Sequence, residues 1–166
     1  MTPTVIYMVQ NDSAPTRVFS FVREDATIPD LTNASTLMCY EVSGLGTTNP
    51  FDVISVGKSG TSATVSSSGN ITTTVAKEFL VGATIVTRAT APTFSADSGY
   101  TGSTNQSQSY TGITSYSEYQ IVSSTGTYNS AFTHSGGTIL DQVTGIVGFK
   151  GASTTNHNNL MLMGVG

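Results

Sequence analysis

Apolar and polar residues alternate along short segments of the chain, and turn-forming residues separate these segments. In one of them the alternation predicts that Tyr119 and Ile121 face a core while Glu118 and Gln120 face water. The run Phe79–Val86 is apolar at both parities, which predicts a central strand covered on both sides. No stretch shows a helical period. Strands are predicted at Thr4–Gln10, Arg17–Arg23, Thr36–Ser43, Phe51–Val56, Ser62–Ser66, Ile71–Val75, Phe79–Thr87, Glu118–Ser124, Tyr128–Thr133, Thr138–Phe149 and Leu160–Val165.

Many short strands at regular spacing predict an all-β protein, namely an antiparallel β-sandwich of jelly-roll or immunoglobulin-like type. The composition agrees, because 22 Ser and 28 Thr among 166 residues are small hydroxyl side chains that strands tolerate. This length fits one domain, so residues 1–150 are predicted as a single sandwich and 151–166 as an apolar tail or added strand. We expect Thr2–Gln10 or Leu160–Gly166 to pair with an open sheet edge, in the same subunit or exchanged with a neighbour.

The charge balance argues against two classes of partner. The chain carries 6 Lys and Arg against 10 Asp and Glu, a net charge of −4. Because phosphates and anionic lipids are bound by clustered cations, no nucleic-acid or membrane partner is predicted. No basic start precedes an apolar run and no run approaches the roughly 18 residues of a membrane helix, so we expect a soluble protein without a secretory signal. The single cysteine, Cys39, is predicted to be a buried apolar side chain.

The segment Ser98–Ser117 is uncharged and rich in Ser, Thr, Gly, Asn and Gln, which predicts a long loop or a ragged hairpin. Tyrosine combines a large contact area with a polar tip, so the segment is a candidate contact surface, although tyrosine in β-proteins often lies at the rim of the core. The candidate partner-binding residues are Tyr100, Tyr110 and Tyr116 in this segment and Leu160, Met161, Leu162 and Met163 in the tail.

Signatures of catalysis and of cofactor or metal binding are incomplete. Gly57-Lys58-Ser59 resembles the end of a phosphate-binding loop, but Asp52 stands where that loop requires glycine. The Gly-x-Ser-x-Gly pentad of a nucleophile elbow does not occur. His134 and His157 lack the spacing of a helical zinc pair, and His134 is predicted to be a polar surface residue. We therefore expect no enzyme, no cofactor and no metal site.

Carboxylates offer the remaining route to acid–base chemistry. Asp52, Asp97, Glu118 and Asp141 are the candidates in the central part of the chain, and nothing in the sequence places any two of them together. Asp141 shares the parity of its apolar neighbours, which predicts a carboxylate that points inward at an edge or bulge and needs a hydrogen-bond partner. A structural role is the favoured interpretation for these carboxylates.

A series of short motifs runs in a fixed order from Tyr40 to Lys150, over about two thirds of the chain. They are Tyr40–Leu45, Thr48–Asp52, Glu78–Ala83, Ser98–Thr101, Ile121–Tyr128 and Gly145–Lys150. In this order they resemble a recurrent β-sandwich module of bacterial secreted proteins and phage virion proteins. The resemblance implies a passive display or adhesion domain without catalytic residues. The chain differs from the module in having fewer strands before the motifs and an apolar tail after them.

These features together favour a non-enzymatic structural protein of a bacteriophage virion, located on the capsid or tail surface. We expect a capsid decoration protein that stabilises the shell through intersubunit β-edge and apolar contacts. Its expected partners are further copies of itself, as a trimer, and a major capsid protein. The alternative is an extracellular module of the tail-fibre or adhesin type that binds a host-surface glycan. The absence of Trp weakens that alternative.

Overall fold

The computed structural model describes residues 40–46, 48–59, 65–88, 92–103, 113–135 and 139–152. Within these ranges the chain forms β-strands and no helix. The all-β class and the antiparallel, packed sheets are confirmed, while the jelly-roll or immunoglobulin-like type and strand exchange stay predictions. The strands are β1 (Phe51–Ser59), β2 (Val65–Ser67), β3 (Ile71–Thr72), β4 (Glu78–Arg88), β5 (Thr93–Ser95), β6 (Thr101–Gly102), β7 (Ile113–Val122), β8 (Thr127–Tyr128), β9 (Ala131–Ser135) and β10 (Ile139–Lys150).

One large sheet and two small sheets make up the described part of the molecule. The large sheet has five strands in the order β1-β10-β4-β7-β6, and the small sheets are β2-β9-β5 and β3-β8. All pairs are antiparallel. The central position of β4 is confirmed, and its apolar residues at both parities are the reason, since Phe79 and Leu80 are buried on opposite faces.

The small sheets cover one side of the large sheet, which we call the inner face. Ile71 of β3 packs there against Leu80, Val122 and Ile146, which come from three strands of the large sheet. Burying a side chain such as Leu80 or Ile146 stabilises the fold by about 1.5–3 kcal/mol relative to exposure. Val53, Tyr100 and Tyr128 complete this cluster as half-buried neighbours.

Hydroxyl groups fill much of the rest of the inner face. Thr84 of β4 and Thr144 of β10 are hydrogen-bonded through their side chains at 2.8 Å, and Ser66 of β2 bonds to both of them across the two sheets. All three residues are buried. These three hydroxyl side chains thus pair with one another between the sheets, where an unpaired hydroxyl would be costly.

The opposite side, which we call the outer face, carries an aromatic cluster near one end of the sheet. Phe79, Val147 and Phe149 form its buried part, and Tyr40 and Tyr119 pack against it with ring centroids 6.0 Å apart. The segment 40–46 lies over this cluster. Backbone hydrogen bonds from its last residues to the end of β10 and to Ala152 hold the segment in place.

Several predicted boundaries are wrong. The described part of Thr36–Ser43 is not a strand, because it contributes Tyr40 and Val42 to the aromatic cluster and forms no ladder. The predicted strand Tyr128–Thr133 is two strands, β8 and β9, because the chain changes sheets between them. At the ends of Ser98–Ser117 the short strand β6 pairs with β7, and residues 104–112 between them lie outside the described residues, so the choice between a long loop and a ragged hairpin stays open. The predicted strands at residues 4–10, 17–23 and 160–165 lie outside the described residues, as does Cys39.

The predicted orientation of the residues around Glu118 is also wrong. Glu118 is fully buried on the inner face, and Ile121 is 69% exposed on the outer face. Tyr119 and Gln120 are both half-buried. Alternation shows which residues share a face of a strand, and the prediction assumed that the apolar set is the buried one. Beside Glu118 the inner face is polar, so the polar set is buried there. Val122, on the same face as Glu118, is the residue that enters the apolar cluster.

Candidate functional site

The two described tyrosines of the predicted contact surface pack within the fold. Tyr100 follows a turn closed by its own N–H and the carbonyl of Asp97, at 3.1 Å, and is half-buried against the inner cluster. Burial raises the pKa of its hydroxyl, and Glu118 adds to the rise. Tyr116 lies in β7 and stacks on Phe94 at 5.3 Å. Their role in partner binding stays a prediction, and Tyr110 and Leu160, Met161, Leu162 and Met163 lie outside the described residues.

The prediction that His134 is a surface residue is wrong, because His134 is only 6% exposed. It shares the buried parity of β9 with Phe132 and makes an edge-on contact with the Phe94 ring at 6.0 Å. The sequence contains a signal for this burial, because Phe132 and His134 lie two residues apart and therefore on the same face of β9.

Strand β1 is the longer of the two edge strands of the large sheet in the described part of the chain. It pairs with β10 on one side, and no strand among the described residues pairs with its other side. On the outer face Ile54 and Val56 are each 49% exposed. An edge of nine residues with apolar side chains offers both backbone hydrogen-bonding groups and apolar area to another chain.

The inner face of β1 is closed. A Cβ atom at Gly57 would lie 2.2 Å from the carbonyl oxygen of Ser67, so β2 packs directly on the β1 backbone there. Ser55 donates a hydrogen bond to the Ser68 carbonyl at 3.0 Å. Only the edge and the outer face of β1 are therefore open to a further contact.

Glu118 is a buried carboxyl group with a donor for each oxygen. Ser130 Oγ donates to Oε1 and the backbone N–H of Asp97 donates to Oε2, both at 2.7 Å. Burial raises the pKa of Glu118, and these two hydrogen bonds oppose the rise. Glycine at position 82 makes the arrangement possible, because a Cβ there would lie 2.1 Å from Ser130 Oγ. The structure thus places Glu118 against the backbone of Asp97, another of the four candidates, and not against its carboxylate.

A second buried carboxyl group, Glu78, was not among the candidates. It is 1% exposed and lies beside Asp52, whose side chain is also 1% exposed. Asp52 accepts hydrogen bonds from the N–H and hydroxyl of Thr74, at 2.8 and 2.5 Å. It also forms an ion pair with Lys150, in which Nζ lies 3.1 Å from Oδ1. A sequence signal for Glu78 existed, since it lies two residues before buried Leu80 and shares its parity.

The fourth candidate, Asp141, lies apart from these groups. It is half-buried at an irregularity in the pairing of β10 with β4, as predicted, and its Oδ1 accepts a hydrogen bond from the N–H of Gln142 at 2.9 Å. Across the described ranges no group of three His, Cys, Asp or Glu side chains could hold a metal ion. In the same part of the chain no helix is long and apolar enough to cross a membrane.

Comparisons with known proteins add no relative. A scan against protein-family models, a search of curated proteins and a search of solved structures each gave no match. The candidate site is therefore defined by its own geometry. It consists of the edge strand β1 and, near the start of that strand, the buried carboxyl groups of Asp52 and Glu78.

Proposed function

We propose that this protein is a non-enzymatic structural component of a bacteriophage virion, a capsid decoration protein that binds further copies of itself and a major capsid protein through β1. The observation that carries this proposal is the nine-residue edge strand with two half-exposed aliphatic side chains. The bacteriophage context and the location on a capsid or tail surface rest on the sequence resemblance.

Edge pairing would give β1 two sources of affinity. An added strand forms main-chain hydrogen bonds along the edge, and its side chains cover apolar residues of the outer face. Ile54 and Val56 would be covered in this way, at roughly 25 cal/mol for each Å² of apolar surface removed from water. Two copies paired antiparallel about Ser55 would place Ile54 of each opposite Val56 of the other, which is a self-complementary contact.

The irregularity in β1 does not reach this part of the strand. The register with β10 shifts between Phe51 and Val53 and is continuous from Val53 to Ser59. A bulge at one end limits how far an added strand can pair. The pairing segment of the proposal is therefore Val53–Gly57, which contains both exposed aliphatic residues.

The test is the mass in solution, by light scattering over a range of concentrations, of the full chain and two variants. The proposal expects a multiple of the 17.2 kDa chain mass for the unaltered protein. The self-complementary contact about Ser55 closes a dimer, whereas the trimer predicted from the sequence would need a head-to-tail contact between β1 and a different surface. The double variant Ile54→Lys and Val56→Lys places two charges on the edge and should be a monomer with an unchanged β-rich circular dichroism spectrum.

Ile121→Lys is the matched control. Ile121 is an exposed aliphatic residue on the same outer face, on β7 and away from the β1 edge. This variant should keep the mass of the unaltered protein. An unaltered chain that is monomeric at every concentration, or a double variant that assembles normally, would contradict self-association through β1. A persistent monomer that binds immobilised glycans would support the adhesin alternative.

A further inference from the structure

The end of the large sheet at which β1 and β4 begin and β10 ends contains three ionisable side chains in contact. Asp52 comes from β1, Glu78 from β4 and Lys150 from β10. Lys150 is the direct cross-strand neighbour of Glu78 and forms the ion pair with Asp52. The adjacent turn adds Thr74 and Val75, which carry no charge, and Lys77, whose exposed side chain lies beside Gly151. Lys150 is thus the cation that pairs with Asp52 next to the second buried carboxyl group, Glu78.

The pairing of β10 brings the two carboxyl groups together. Asp52 is the additional residue where the register shifts between Phe51 and Val53, so the irregularity aims its side chain along the sheet end. Glu78 reaches across β10 from the other side. A Cβ at Gly148 would lie 2.7 Å from Glu78 Oε2, so this glycine leaves the space that the carboxyl group occupies.

Within the described part of the chain, the buried Glu78 carboxyl group has one oxygen without a hydrogen-bond donor. Glu78 Oε1 accepts a hydrogen bond from the N–H of Val75 at 3.3 Å. Glu78 Oε2 is buried and has no hydrogen-bond partner among the described residues.

The Asp52 carboxyl group is a close neighbour of the Glu78 carboxyl group, and both accept hydrogen bonds from the turn at Thr74 and Val75. Two ionised carboxylates have only acceptors, so they can hydrogen-bond to each other only when one of them carries a proton. Asp52 already has donors from Thr74 and Lys150, so Glu78 is the group that would carry the proton.

We propose that Asp52 and Glu78 share one proton, and that this proton acts as a pH-sensitive latch on the end of the sheet where β1, β4 and β10 meet. With the proton present, the negative charge of Asp52 and the positive charge of Lys150 balance. Its loss places a second buried negative charge beside Asp52, and the contact that joins β1 to β4 across β10 becomes repulsive. The latch is independent of the proposed edge pairing, since it operates within one chain.

The pKa values of the two groups agree with this assignment. Burial raises the pKa of Glu78 to about 7, and the neighbouring Asp52 contributes to the rise. Burial also acts to raise the pKa of Asp52, but hydrogen bonds from Thr74, Glu78 and Lys150 outweigh it and lower the value to about 2. Between these limits the pair holds one proton.

The test is a pH titration of the full chain, followed by carbon-detected NMR of the side-chain carboxyl groups. The Glu78 carboxyl signal should change from protonated to ionised with a midpoint near pH 7, while the Asp52 signal stays ionised down to about pH 2. Protection of the Gly46 and Lys150 amides, which bond to this sheet end, should fall by about tenfold between pH 5 and 8 after correction for intrinsic exchange.

Two variants separate the latch from general effects of pH. Glu78→Gln keeps a donor toward Asp52 and has no proton to lose, so amide protection should become nearly independent of pH over this range. Asp52→Asn removes the neighbouring charge and should move the Glu78 midpoint toward its ordinary value; it also serves as the test if the first variant does not fold.

Two results would overturn the proposal. One is a Glu78 carboxyl group that is already ionised at pH 5. The other is a Glu78→Gln variant whose amide protection at the sheet end changes with pH as much as that of the unaltered protein. Neither result depends on the oligomeric state, so failure of the latch and failure of the proposed edge pairing are distinguishable.

Discussion

Two buried glutamates on neighbouring strands face the same side of one sheet, yet their surroundings differ. Glu118 on β7 has a donor for each oxygen, whereas Glu78 on β4 has one long hydrogen bond and a second carboxyl group as its neighbour. Burial raises the pKa of both. The donors around Glu118 suit a fixed structural group, and the acidic neighbour of Glu78 suits a group that gains and loses a proton.

The largest loss of stability is expected from adding a side chain at Gly82, where the Glu118 site has the least space. Gly82→Ala would place a methyl group 2.1 Å from Ser130 Oγ, which must move away from Glu118. We expect a loss of about 3 kcal/mol in the free energy of unfolding, measured by urea denaturation, since the site is both overpacked and deprived of a donor. Gly145→Ala is the control, because its nearest contact would be an ordinary 3.6 Å. Equal losses in the two variants would contradict the role assigned to Gly82.

Removing one donor from Glu118 should have the next largest effect. Ser130→Ala deletes the hydroxyl that reaches Oε1 at 2.7 Å and leaves that oxygen buried. The expected loss is about 2 kcal/mol in the free energy of unfolding, the usual cost of a lost hydrogen bond to a buried charged group. Ser123→Ala, at an exposed position, should change the stability little. A Ser130→Ala variant as stable as this control would show that Glu118 does not depend on its donor.

The Glu78 site should produce a change in stability of comparable size, and this change depends on pH. Its pKa is near 4.5 in the unfolded chain and about 7 in the folded one, so the folded state binds more protons between these values. Stability contributed by protonated Glu78 is complete below pH 4.5 and is lost as the pH rises through 7. We expect a fall of about 2 kcal/mol between pH 5 and 8 in urea titrations. A Glu78→Gln variant with an equally steep fall would place its origin elsewhere, with Glu118 as the next group to test.

The smallest expected change in the free energy of unfolding comes from replacing each glutamate by glutamine at pH 8, and its sign differs between the two sites. At pH 8 Glu118→Gln should lower the free energy of unfolding by about 1 kcal/mol, because an amide NH₂ must replace one of two accepting oxygens. Glu78→Gln at the same pH should be neutral or stabilising, because it replaces a buried charge with a donor toward Asp52. Parallel urea titrations at pH 8 provide the comparison. Losses of the same size in both variants would remove the distinction drawn between the sites.

The sequence predicted the fold class more successfully than the side-chain environments. Apolar residues at both parities of Phe79–Val86 were sufficient to place β4 at the centre, because only a strand covered on two faces tolerates them. The same reasoning failed at Glu118 and Ile121, because it assumes that buried faces are apolar. The surface prediction for His134 is wrong for a related reason, because this polar residue shares the buried parity of β9 with Phe132.

The carboxyl sites show why contacts were harder to predict than strands. Asp52 was recognised as a candidate, but its neighbour Glu78 lies 26 positions away in the sequence and two strands away in the sheet. Only the order β1-β10-β4 brings them together, and only glycine at position 148 leaves room between them. No local pattern around either residue contains that information.

What the sequence determined by itself was the local preference for short antiparallel strands, because alternation, turn residues and an excess of Ser and Thr act over a few neighbouring residues. Tertiary structure alone decided which strand is the open edge and which carboxyl groups meet. It also decided that hydroxyls such as Thr84 and Thr144 lie inside the fold, since each is buried only where another strand supplies its partner. Such pairing depends on strand order and register, which are properties of the whole chain.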